Sequence, residues 1–217
     1  MSSTPSSRTS AQGRGTPKPY HHGNLRQALL DAALDIIGEE GLSALTLRRA
    51  ASRAGVSHAA PKRHFASVTD LYCAVAEDGY RQLHAYLLER VQERPGATPG
   101  QAVARLGVAY VEFATAHSAL FRAMFHSATA ERATPDPVEA AAGATLDVLV
   151  SAVERAQEAG EIRKGPAREL ALGAWSLVHG LAVLAVDGQL AHRGFSSEDP
   201  STLAREIVEQ LYLGLKP

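Results

Sequence analysis

Apolar side chains recur along this chain at the spacing of an α-helix from Leu25 onward, and no stretch alternates convincingly at the period of a strand. Leu25, Leu29, Ala32, Ala33, Ile36 and Ile37 share one face, and Gly41 is placed to stop that helix in a left-handed conformation. Thr46 is placed to N-cap a second helix whose inner face, Leu47, Ala50, Ala51 and Ala54, is small enough for another helix to come close. Gly55 then offers a positive-φ turn, Val56 a plug for the corner, and Ser57 a cap for a third short helix that ends at Phe65. A fourth helix opens at Ser67, with Asp70 as its capping-box partner. Its stripe of Leu71, Tyr72, Val75, Gly79, Leu83, Tyr86, Leu87 and Val91 predicts a rod of about 40 Å, ended by the PGATPG turn at 95–100.

Helices of the same kind follow. Gln101–His117 presents Val103, Leu106, Tyr110 and Phe113; Ala119–His126 presents Leu120, Phe121, Met124 and Phe125. After a polar loop, Ser127–Pro137, comes Val138–Ala159 with Leu146, Leu149, Val150 and Val153 inward and Gly160 as C-cap. Ser201–Leu213 closes the chain with Leu203, Ile207 and Leu211. The fold class expected is all-α: a helix-turn-helix head of three helices (24–70), joined by a long helix to a larger helical body (71–217). A Ser/Thr/Pro/Gly-rich arm (1–23) carrying Arg8, Arg14 and Lys18 precedes them and reads as disordered.

Leu170–Val186 is apolar on every side and sits at the short limit for a membrane span. With His179 inside it, it reads as a helix buried between others, and no membrane is expected. Together with Ser201–Leu213 it carries more apolar surface than one small body covers. A two-fold partner burying the same pair would give an isologous four-helix interface. Such a dimer would hold two recognition helices about 34 Å apart, one turn of DNA.

Charge sharpens the division. The net charge is −1, yet residues 1–72 hold nine Lys/Arg against five Asp/Glu, while residues 73–217 hold thirteen against eighteen. A basic head on an acidic body suits nucleic acid. Cys73 is the single cysteine, which excludes an intrachain disulfide and a cysteine metal cluster and fits a reducing cytosol. No apolar leader marks the N-terminus. The nine histidines show no metal spacing, and no nucleophile elbow, P-loop, dinucleotide fingerprint or H-E-x-x-H is present, so neither an enzyme nor a metal or other cofactor is expected.

Leu29–Gly41, Thr46–Phe65 (TLRRAASRAGVSHAAPKRHF) and Leu71 resemble the TetR family of bacterial repressors over residues 24–80. The resemblance implies a bacterial, cytoplasmic, nucleoid-associated homodimer that binds a palindromic double-stranded operator and is released from it by a small-molecule effector. It places His58, Ala59 and Ala60 on base edges, where His58 can pair with a purine and the alanines can touch thymine methyls. Lys62 stands where the family usually has a phosphate-contacting tyrosine, and Thr46 where a capping Thr reaches phosphate; Ser57, Arg63 and His64 complete the DNA-binding set. Two positions depart from the pattern. Pro61 falls inside the third helix and shortens it, and Val68 replaces a phosphate-binding lysine. Trp175-x3-His179-Gly180 resembles a subgroup with a Trp…His-Gly C-terminal domain. Effector-binding candidates are Tyr110, Phe113, His117, Phe121, Met124, Phe125, Trp175 and His179, for which packed core and open pocket are both live readings. An architectural DNA-binder without an effector is the alternative function, distinguished by a solid core around Tyr110 and Phe125.

Overall fold

The computed structural model describes residues 25–92, 96–125, 137–195 and 199–217. The arm expected at 1–23, His126 and loop residues 127–136 lie outside the described residues. Every regular element among those described is helical, so the chain has the all-α fold its periodicity announces.

The head begins with α1 (Leu25–Glu40), which buries Leu29, Leu30, Ala33, Ile36 and Ile37 and ends at Gly41 with φ +87°. Thr46 caps α2 (Leu47–Arg53): its Oγ1 accepts from the Arg49 N–H at 3.1 Å. Gly55 (φ +70°) closes α2 in a Schellman turn, in which Val56 N–H donates to Ala51 C=O at 2.9 Å and Gly55 N–H to Ser52 C=O at 3.2 Å.

The third helix differs from expectation. It is a single 3₁₀ turn, Ala60–Arg63, with Ala59 rather than Ser57 at the cap position and no side-chain cap. Pro61 is the cause. It has no N–H to continue an α-ladder, its ring is fully buried, and its carbonyl alone serves the N–H groups of both His64 and Phe65 at 2.9 Å. Buried Phe65 then seals the head.

The long helix α3 (Val68–Gln92) opens with the expected reciprocal box: Ser67 N–H donates to Asp70 Oδ2 at 2.8 Å, and Asp70 N–H to Ser67 Oγ at 3.2 Å. At 25 residues it spans about 37 Å and carries the hydrophobic core from head to body without a break. The body adds α4 (Pro99–Ala116), α5 (Ser118–Met124), α6 (Pro137–Glu158), α7 (Ala167–Val186), the short α8 (Gln189–His192) and α9 (Pro200–Leu215). The start of α4 lies ahead of Gln101 because Thr98 and Gln101 form a capping box around Pro99.

α4 is the central strut, packed by α3, α6, α7 and α9. Gly100 and Gly107 let Tyr212 and Val208 of α9 lie directly on its backbone. α7, expected to be buried on all sides, is covered on one side only: Leu170, Ala171, Ala174, Val178, Leu181 and Ala182 face inward, whereas Leu172, Leu177, Val183 and Leu184 are exposed. It is long and apolar enough to cross a bilayer, but its inner stripe is part of the body's core.

Candidate nucleic-acid interface and ligand cavity

The turn from Ser57 to His64 projects from the head with its polar groups outward. Ser57, His58, Ala59, Lys62, Arg63 and His64 are exposed, Ala60 is half-buried, and Pro61 is the anchor beneath them. Thr46 is exposed at the start of α2; its oxygen is used by the cap, which leaves its O–H to donate outward. The basic count of the head is smaller in space than in sequence. Arg53 pairs with Glu39 at 2.7 Å and with Glu40 at 3.6 Å, and Arg49 pairs with Glu40. Arg53 holds the Glu39 carboxyl below its usual range by hydrogen bond and charge. Both arginines thereby offset two carboxylates at the unfavourable C-terminal end of α1 and lock α1 to α2. Lys62, Arg63, Arg48 and Arg26 are exposed and make no ion pair among the described residues; Arg26 lies over the Phe65 ring at 5.9 Å, which leaves Lys62, Arg63 and Arg48 as the cations best placed to meet phosphate. Sequence reading did not single out Arg48; its partnerless place on α2 marks it only once Arg49 and Arg53 are seen to be engaged.

In the body a cavity of about 700 Å³ opens between α3, α4, α6, α7 and α9. One end is aromatic: Tyr80, Tyr110, Phe125 and Trp175 line it, with Tyr80 edge-on to Phe125 at 5.8 Å and Phe125 tilted 6.5 Å from Trp175. The remaining wall is aliphatic, with Leu83, Leu106, Leu146, Leu149 and Leu211. Polar groups are few. Tyr110 Oη lies 2.8 Å from His179 Nδ1, Tyr80 O–H reaches the Met124 carbonyl at 3.5 Å, and buried Thr145 donates to the Ala141 and Tyr80 carbonyls. Burial pushes the Tyr80 phenol up to about 12, with the Glu139 carboxylate adding to the shift. Burial drives Tyr110 higher still, partly offset by the neighbouring Trp175 side chain. Both phenols are therefore neutral hydrogen-bonding groups.

Of the residues expected to bind an effector, Tyr110, Met124, Phe125 and Trp175 line the cavity. Phe113, His117, Phe121 and His179 do not. Phe113 and Phe121 are buried in solid core; His117 is exposed where α4 passes into α5. His179 stands one layer back, half-buried among Phe121, Phe125, Trp175 and Tyr110, and meets the cavity through the Tyr110 hydroxyl and through the Phe125 and Trp175 rings it packs against. Burial lowers its pKa and favours the neutral ring. The lining residues not foreseen include Tyr80, Glu139, Gly143 and Tyr212.

α5 connects cavity and head. Met124, and Phe125 just beyond its end, line the cavity; Ala119 packs on α1 opposite Gly38; and Met124 and Leu120 lie against Gly79 of α3 so closely that a methyl there would come within 3.0 Å of both. Arg122 donates to the Val186 carbonyl at the end of α7.

Residues 29–75 match the family model described as bacterial regulatory proteins of the tetR family, and residues 103–211 match the tetracyclin repressor-like C-terminal domain. The solved structure of a protein of unknown function from Rhodococcus sp. RHA1 is similar over 93% of this chain and 100% of that one, at 36% identity and a TM-score of 0.79. A tetR-family regulatory protein from Rhodococcus RHA1 shares the fold at 20% identity and a TM-score of 0.68, over 88% of this chain and 96% of that one. So does FadR of Bacillus subtilis, solved with stearoyl-CoA, at 16% identity and a TM-score of 0.69, over 87% of this chain and 98% of that one. No curated protein sequence matches. With the C-terminal model spanning half of the chain and the helix-turn-helix head in front of it, this protein belongs to the TetR family of DNA-binding transcription regulators.

Proposed function

We propose that the protein is a homodimeric repressor whose hold on a palindromic operator is released by a small molecule entering the cavity. The observation that carries this reading is α5, which touches the cavity, the long helix and the head at once. A molecule that displaces Met124 or Phe125 acts on α3 and α1 through Gly79 and Ala119. Its leverage equals its differential affinity for the two head positions, typically about 1–3 kcal/mol. The cavity argues against a purely architectural DNA-binder, which needs no pocket.

The dimer rests on the outer face of α7 and the end of α9. Leu172, Leu177, Val183, Leu184 and Leu213 are exposed, and methyls built on Gly173 and Gly180 meet nothing within 4 Å, leaving a smooth strip for close approach by a second copy. At the DNA, Lys62, Arg63, His64 and Thr46 meet phosphates, and Ser57, His58, Ala59 and Ala60 meet the major groove. The test is selection of bound sequences from random DNA, repeated with a metabolite panel. A palindrome whose binding a metabolite weakens is the expected result; the absence of any preferred two-fold site would sink the reading.

A further inference from the structure

We infer that the cavity takes a lipophilic cation: a bulky apolar body with one positive centre seated among Tyr80, Tyr110, Phe125 and Trp175, facing Glu139. This rests on the ligand-binding reading above and adds the charge and shape of the ligand.

Three features carry it. First, the four aromatic side chains cluster at one end of the cavity, on α3, α4, the segment after α5, and α7. Ring faces attract a cation, most strongly where water is excluded, and two phenols and an indole are electron-rich rings. Second, the charged group beside that end is acidic. Glu139, in the first turn of α6, is exposed at the rim of the cavity, is close enough to Tyr80 for its charge to be felt there, and makes no ion pair among the described residues. Third, the cavity's positive group is not available in kind. Arg168 lies on α7 among the lining residues, but its guanidinium is solvent-exposed and 3.3 Å from Asp147, so water and that carboxylate share its charge. A carboxylate- or phosphate-bearing ligand therefore meets Glu139 with no free cation in the lining, whereas a cation meets Glu139 and the rings together. Burying a charge without such partners is costly, so the sign of the ligand is decided by what the wall supplies. The aliphatic remainder, Leu83, Leu106, Leu146, Leu149 and Leu211, suits a hydrocarbon body. The likeness to FadR with its acyl-CoA is a likeness of fold at 16% identity and carries no argument about this wall.

Trp175 is the chain's single tryptophan and lines the cavity, so its fluorescence reports occupancy directly. The probes are decyltrimethylammonium, decanol and decanoate, titrated separately below micellar concentration into the full-length protein, with calorimetry in parallel. The cation is expected to bind about ten-fold tighter than the alcohol, and the carboxylate weaker than both. In Glu139→Gln the preference for cation over alcohol should shrink to about three-fold or less, the remainder coming from the rings. Alcohol or carboxylate binding as tightly as the cation would overturn the charge assignment and leave a ligand-binding cavity standing. Silence toward all three probes by both methods would overturn the cavity reading with it.

Discussion

Gly107 of α4 and Gly143 of α6 both line the cavity, and the same substitution should move the protein's stability in opposite directions at the two sites. Neither has a positive φ, so alanine at either gains roughly 0.8–1.0 kcal/mol of helix propensity. A methyl at Gly143 meets nothing within 4 Å. Gly143→Ala should keep that gain, about 0.5–1 kcal/mol, or roughly 1–4 °C in melting temperature for a chain of this size. A methyl at Gly107 would lie 2.8 Å from Val208 Cγ2 and 3.2 Å from Val178 Cγ1. Both neighbours are buried and β-branched, so neither side chain can swing aside. Overpacking of this kind costs about 1–3 kcal/mol, which exceeds or cancels the propensity gain and leaves Gly107→Ala about 0–2 kcal/mol less stable than the parent. Thermal unfolding of the three proteins at one concentration checks this, the concentration being held because dimerisation shifts the midpoint. Gly143→Ala melting below the parent would mean that the space beside residue 143 is occupied, and the cavity wall described above would be wrong.

Other outcomes follow from the head, the outer face and the buried histidine. Lys62→Ala should weaken binding to all DNA sequences alike and lower the slope of log affinity against log salt by about one, read from titrations at several salt concentrations; an unchanged slope would remove Lys62 from the phosphate contacts. Leu177→Glu places a charge on the exposed apolar strip of α7 and should shift sedimentation from dimer to monomer while leaving helical content intact. His179 is held below its ordinary value near 6.5 by burial, so the unfolded chain binds its proton more tightly than the folded one. Stability should accordingly be complete above about pH 6.5 and decline as pH falls below it. Urea midpoints across that range should show less decline in His179→Gln, and an equal decline would assign the effect to other groups.

The elements were legible where their chemistry is local. Thr46, Ser67 with Asp70, Gly55 and Gly160 mark helix ends by groups that act within four residues of themselves, and the structure places helix ends there. The length of the recognition turn was less legible, because the effect of Pro61 depends on its ring being buried under the head. The cavity was legible as an aromatic concentration but not in outline. Tyr110, Phe113 and Phe121 share the same helical spacing signal, yet only Tyr110 faces space; periodicity tells which side of a helix turns inward, not what it meets there. Glu139 and Gly143 gave no signal, since an acid and a glycine near a helix start read as surface and turn until the opposing helices are known.

The same limit applies to α5, whose role comes from its neighbours rather than its sequence. Seven residues form too short a helix to hold itself together in water, so its position is set by what it touches. A displacement of those neighbours therefore displaces α5, and such a push can be applied without any ligand. In Gly79→Ala the new methyl would stand 2.7 Å from Met124 Cγ, 2.8 Å from its Sδ and 3.0 Å from Leu120 Cδ1. Two of these atoms belong to a flexible thioether, but the first sits close to the backbone and Leu120 is buried beside it, so the helix itself has to give. On the proposed mechanism that displacement imitates an effector. Operator affinity without ligand should fall about five-fold or more, the low end of ordinary coupling, while affinity for the cavity probe rises in return because linkage is reciprocal. Fluorescence anisotropy with operator DNA and Trp175 titration with the cation measure the two halves. Parental values in both, in a variant that still folds, would show that α5 does not carry the signal.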